Sequence, residues 1–153
     1  MRRLRKYLAL PPAGRAMVLR SLLLLPVVAA MVEARGMERT RAWLARIGPF
    51  AAGDTSALAP REITMLVGAA ASLLQTRCLP RSLVLWHFLR ERGTSAEIRL
   101  GVTKLADGGL SAHAWVELDG LPLNDSLDVF ERYAVLPLRE GRVRASHPAP
   151  QLS

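Results

Sequence analysis

The chain has little of several things that usually betray a function. It holds one cysteine, Cys78, among 153 residues. A lone cysteine cannot close an internal disulfide, so oxidative stapling is excluded and a reducing, cytoplasmic setting is expected. Nor can it build a zinc site by itself. The three histidines, His87, His113 and His147, are scattered with no His-x-x-x-His or Cys-x-x-Cys spacing, and neither a metal nor another cofactor is expected. Aromatic residues are scarce at 5%, so the core has to come mainly from Leu, Val and Ala. Lysine is nearly missing as well. Only Lys6 and Lys104 occur, and arginine carries the net charge of +8. The arginines are scattered rather than striped, with no interleaved aromatics to stack bases, so a solvated basic surface is expected and nucleic acid is not. No segment repeats with a period of about 20–50 residues, which sets solenoids and propellers aside.

Half of the residues are hydrophobic and 22% are charged, enough for one buried core. Residues 1–59 are expected to form a helical extension and linker, 60–140 the chemical core, and 141–153 a tail. The start is basic, and Ser21 to Val32 is an apolar run interrupted by Pro26. That order is similar to the opening of a signal peptide. However, the basic part is long, no clear small-x-small cleavage site follows, and twelve apolar residues fall short of the ~20 that span a bilayer. The expectation is a buried or amphipathic helix from Pro11-Pro12 to Gly36, kinked at Pro26, without stable membrane insertion. A second short helix is expected from Glu38 to Ile47, stopped by Gly48-Pro49.

Pro60 opens a stronger pattern, with Ile63, Leu66, Val67, Ala70, Leu73 and Leu74 at helical spacing. It breaks near Thr76-Arg77, and a new helix begins at Cys78, with Pro80 in the first turn and Gly93 past the end. The one cysteine therefore stands at a helix N-terminus, where backbone N–H groups and the helix dipole attract a thiolate's negative charge. The same N–H groups suit the oxyanion that forms when a thiolate attacks a carbonyl.

Beyond Gly93 the period changes to two. Strands are expected at Ala96–Lys104, Leu110–Glu117 and Leu121–Asp125, joined by turns at 106–109 and at Asp119-Gly120. A cysteine on a helix followed by an antiparallel sheet with His113 and Asp125 is an α+β arrangement in the chain order of nucleophile, general base and base-orienting carboxylate. Register decides which residue faces the histidine. A three-residue loop, Leu118 to Gly120, pairs Glu117 with Leu121 and sets Asp125 opposite His113. A two-residue Asp119-Gly120 turn slips the register by one and puts Asn124 on the histidine's face instead. The first is preferred, with Asn124 as the fallback. His87, nine residues past Cys78, lies about 180° around the helix from it and is expected to be a packing residue. Glu117 is expected to be a solvated rim charge. Gln75 is a weak candidate for a second oxyanion donor.

The segment from Cys78 to Asp125, a third of the chain, resembles the transglutaminase-like leader peptidases of lasso-peptide biosynthesis. The matching pieces are Cys78-Leu79-Pro80-Arg81-Ser82-Leu83, Leu89-Arg90-Glu91-Arg92-Gly93, Leu100-Gly101-Val102, Ala112-His113-Ala114-Trp115-Val116-Glu117, and Asn124-Asp125. The resemblance implies a transglutaminase/papain-like core and a thiol protease that cuts the leader from a ribosomally made precursor peptide. Cys78 would be the nucleophile, His113 the base and Asp125 the orienter. The first third shows no small β-rich leader-recognition domain. The resemblance therefore implies a separate small leader-recognition protein as partner, together with an ATP-dependent cyclase that uses the freed amine. A transglutaminase-fold amidase or acyltransferase on another substrate, and a non-catalytic basic adaptor, are the competing readings.

Overall fold

The computed structural model describes residues 7–48 and 55–137. The linker residues 49–54, the tail 141–153 and His147 lie outside the described residues. Helix α1 (Pro12–Arg35) begins on a proline, whose φ is preset for a first helical residue and whose missing N–H would be unpaired there anyway. It runs through Pro26 and stops at Gly36, where φ is +78°, a conformation that only glycine adopts cheaply. The Gly36 carbonyl then accepts from the Thr40 hydroxyl at 2.8 Å, starting α2 (Met37–Arg46). Helix α3 (Pro60–Leu73) also opens on proline. Its Glu62 carboxylate reaches back to accept the Ala59 N–H at 2.8 Å, satisfying one of the donors that a helix start leaves unpaired. Gln75, with φ +52°, turns the chain into α4 (Cys78–Arg90).

Helix α4 is the centre of the molecule. Every residue from Ser82 to Leu89 is buried, so the helix has no solvent face, as expected of one covered on all sides. Met17, Leu25 and Val28 of α1, Leu44 of α2, and Ile63 and Val67 of α3 pack with Leu83, Val84 and Phe88 in one cluster that also takes Ile98 and Val116 from the sheet. Burial of each such side chain stabilises the fold by about 1.5–3 kcal/mol.

The sheet is antiparallel with order β3-β2-β1-β4, built from β1 (Glu97–Lys104), β2 (Leu110–Leu118), β3 (Leu121–Pro122) and β4 (Ala134–Leu136). With the helices it makes the α+β class expected, a cysteine-bearing helix packed on a small antiparallel sheet. Two elements were not expected, the four-residue helix α5 (Val129–Arg132) and β4, which pairs Leu100–Val102 from the far side of β1. Both are too short to show a period.

The preferred register is corrected. Leu118 pairs with Leu121 and Glu117 with Pro122, the two-residue alternative. Asp119 and Gly120 both take positive φ, 53° and 77°, the type I′ turn whose twist suits a right-handed hairpin. Strand β3 also ends after two residues, where Asp125 was expected to close it. The membrane-length expectation is revised too. Among the described residues α1 is the one helix long and apolar enough to cross a bilayer, because its apolar stretch extends beyond the Ser21–Val32 run.

Candidate active site

Cys78 is the first residue of α4 and is half-buried. Residues one turn further along the helix tie this end to the sheet. The Ser82 hydroxyl, fully buried, donates to the Ala114 carbonyl at 3.0 Å, and Ala114 follows His113. Arg81 donates to the Asn124 carbonyl at 2.8 Å, and Asn124 precedes Asp125. The helix turn that carries the cysteine is thus braced against the neighbours of both His113 and Asp125.

The early end of β3 makes this possible. Val116 and Ala114, two residues apart on β2, direct their backbone groups to the same side. Val116 still has a partner there: its carbonyl accepts from Leu123 N at 2.8 Å, and its N–H donates to the Asn124 side-chain oxygen at 2.7 Å. At Ala114 no strand remains, and Ser82 takes its carbonyl. Asn124 therefore replaces a strand residue with its side chain, and its amide donates onward to Ser82 at 3.0 Å. As fallback orienter of His113, Asn124 is corrected. It braces the helix to the sheet and leaves the histidine to Asp125.

His113 Nε2 hydrogen-bonds the Asp125 carboxylate despite the slipped register. Once β3 has ended, the alternation of faces no longer governs residues 123–125, and the bends there bring Asp125 around to the ring. The other carboxylate oxygen accepts from the Ser126 N–H and from Arg132, each at 2.8 Å. Burial alone would push the Asp125 carboxyl up. The bonds from His113 and Ser126, the charge on His113 when protonated and the bond from Arg132 outweigh it and hold the group below the ordinary 3.8. Arg132, on the unexpected α5, belongs to the site and had no signal in the sequence beyond its charge.

The imidazole packs against two rings that also touch each other, Trp115 and Tyr133 lying 6.4 Å apart. Trp115 stacks at 6.0 Å and Tyr133 at 5.0 Å between centroids. Trp115 is fully buried, with Phe130 edge-on at 6.2 Å, and its indole N–H donates to Glu117 at 2.8 Å. Glu117, expected as a solvated rim charge, is 7% exposed and also accepts from Arg99 at 2.9 Å, which corrects that reading. Gly101 sits opposite His113 on β1. A Cβ there would stand 2.7 Å from Tyr133 Cβ and 2.9 Å from Trp115, distances real Cβ atoms do not tolerate. Gly101→Ala is therefore expected to push both rings off the imidazole and to destabilise by about 1–3 kcal/mol, the usual effect of overpacking. Thermal melting, with the His113 ring resonances followed by NMR, checks this. Unchanged resonances would show that the rings do not hold the histidine.

His87 is 2% exposed beside Glu91 at the far end of α4 and takes no part in this cluster. Gln75 is exposed in the α3–α4 turn. Among the described residues, no three His, Cys, Asp or Glu side chains gather as metal ligands do. What the site offers is a thiol at a helix N-terminus, with an imidazole–carboxylate pair braced to that helix turn. That is the equipment of covalent acyl chemistry.

No curated protein and no solved structure matches the chain. Its sequence does match the profile of the transglutaminase-like superfamily over residues 15–137, which takes in most of α1, the whole of α2, α3 and α4, and the whole sheet. With most of its length inside that match, the chain belongs to the transglutaminase-like superfamily, whose members are generally cysteine-based peptidases or acyltransferases.

Proposed function

We propose that this protein is a cysteine peptidase that removes the leader from a ribosomally made lasso-peptide precursor. The observation that carries the reading is the His113–Asp125 pair braced through Ser82, Arg81 and Asn124 to the helix turn of Cys78. The specific substrate rests on the resemblance of the Cys78–Asp125 segment to the lasso-peptide leader peptidases.

In this mechanism the Cys78 sulfur attacks the carbonyl carbon of the scissile amide. The charge that develops on oxygen is met by backbone N–H groups at the start of α4. Cys78 and Leu79 supply them, since Pro80 has none and Arg81 gives its own to the Arg77 carbonyl. His113, protonated on taking the thiol proton, hands it to the leaving nitrogen as the C–N bond breaks. The core peptide departs with a free amine, and the leader remains as a thioester on Cys78. Water then attacks the thioester while His113 takes its proton. The leader leaves as a carboxylate and the thiol is restored. Asp125 keeps one imidazole tautomer and stabilises the imidazolium throughout. A separate leader-recognition protein brings the precursor, an ATP-dependent cyclase consumes the freed amine, and the setting is cytoplasmic. Transfer of the leader to an amine would pass through the same thioester, which is the acyltransferase reading.

The test is mass spectrometry of the cognate precursor incubated with this protein and the leader-recognition partner in oxygen-18 water. The expected result is free core peptide, with one labelled oxygen at the leader's new C-terminus. Leader joined to an added amine would assign transfer instead. An intact precursor with folded protein and partner present would remove the peptidase reading.

A further inference from the structure

The outward face of α1 is the reverse of an ordinary surface helix, which shows water a polar face. Leu19, Leu23 and Val27 are 45%, 50% and 46% exposed, and Pro26 and Ala30 beside them are exposed too. At about 100° and 1.5 Å per residue, the residues from Pro12 to Ala34 on this side form one apolar stripe roughly 33 Å long. From Ala16 to Val32 the only charged residue is Arg20, and it points inward, 3% exposed and bonded to Glu91. Between the flanking Arg15 and Glu33 the stripe thus has neither a hydrogen-bonding side chain nor an aromatic anchor of the kind that dominates protein–protein contacts. Residues 7–11 separate α1 from Arg2, Arg3, Arg5 and Lys6, four cations in six residues of sequence on a chain of net charge +8. An aliphatic helix face preceded in sequence by a cationic cluster is complementary to anionic headgroups above acyl chains.

We propose that α1 docks this protein on an anionic lipid surface, with the Leu19–Leu23–Val27 stripe at the headgroup boundary and the N-terminal cations on the headgroups. The helix lies on the surface and does not cross it. Its other face, with Met17, Leu24, Leu25 and Val28, is committed to the core, and crossing would strip Arg20 from Glu91 and strand it in hydrocarbon. Docking of this kind is independent of what the site cuts.

The experiment is co-sedimentation of the purified full chain with vesicles of phosphatidylcholine containing one-third phosphatidylglycerol, beside phosphatidylcholine alone. The wild type is expected to bind the anionic vesicles and to be released by salt. Leu23→Glu is expected to weaken binding roughly tenfold or more. Replacing Arg2, Arg3 and Arg5 together by Gln is expected to weaken it about a hundredfold, near 1 kcal/mol per cation. These arginines precede α1, so the triple variant decides the matter if Leu23→Glu melts early. Wild-type protein that ignores anionic vesicles overturns the proposal, as does undiminished binding by the triple variant. A wild-type dimer that Leu23→Glu splits, with no vesicle binding, also overturns it and assigns the stripe to a second copy.

Discussion

Replacing Cys78 by alanine is expected to slow the proposed leader release by roughly 10⁴-fold or more while leaving the melting temperature nearly unchanged. That chemistry needs the sulfur to form the thioester, and the chain has no second cysteine. The structure needs little from it, because Cys78 is half-buried at the first helical position and the anchoring of that turn runs through Arg81 and Ser82. His113→Ala is expected to be comparably inactive. Asp125→Asn should lose somewhat less, since its amide still touches the ring but no longer stabilises an imidazolium. The carboxyl of Asp125 is held below 3.8, so the midpoint of its protonation lies below that value and it stays ionised at and above pH 5. Rates measured by mass spectrometry from pH 5 to 8 should accordingly show no limb from Asp125. A Cys78→Ala protein that still releases leader would end the cysteine mechanism.

The largest effect on stability is expected far from the site, at the pair that joins α1 to the end of α4. Arg20 donates to both Glu91 oxygens, at 2.8 and 2.6 Å, lies 4.8 Å over the Phe88 ring, and reaches the Thr55 hydroxyl at 3.3 Å. Its side chain is 4% exposed and that of Glu91 11%. Glu91→Ala would leave a buried guanidinium without its counter-charge, which costs about 3–5 kcal/mol and should lower the melting temperature on the order of 10 °C. Replacing both partners by apolar residues, Arg20→Met with Glu91→Leu, should recover most of that loss, because the desolvation of both charges disappears with them. The pH dependence has a definite sign. Burial pushes the Glu91 carboxyl up, but the bonds from His87 and Arg20 and the charge on Arg20 prevail and hold it below 4.5. Its contribution is therefore fully present above pH 4.5 and is lost as the pH falls through the depressed value. Melting curves from neutral pH to about pH 3 should show a steeper acid loss in the wild type than in the doubly apolar variant. Equal slopes would mean that the pair does not couple folding to protons.

These two predictions separate what the sequence by itself determined from what the tertiary structure decided. Features set by contacts within a few residues were legible. Pro12, Pro60 and Gly36 mark helix ends because the proline ring and positive φ act on their own backbone. The break before Cys78, and hence the cysteine's place at a helix N-terminus, followed from the same local rules. The Asp119-Gly120 turn is recognisable in the sequence, but its register is that of the two-residue loop and not of the preferred three-residue one. The two loops differ by one residue, and the choice rests on what the hairpin packs against.

What stayed hidden depends on residues far apart in the chain. Arg20 meets Glu91 across 71 positions, and nothing near either residue marks them as partners. Asn124 acts as a strand substitute only because β3 stops at Pro122 and α4 stands beside β2. Glu117 is a surface-type residue in any local pattern, yet Trp115 and Arg99 fold over it. Gly101 looks like an ordinary interruption of a strand until Tyr133 and Trp115 close on it. The contact of Asp125 with His113 shows both levels at once. The residue types and their order suggested it, but the sheet alternation invoked to bring them together stops short of Asp125, and the bends after β3 make the contact. Local backbone preferences act within a few residues and can be read along the chain. Burial, and the partners it forces on polar groups, exist only once the elements have packed.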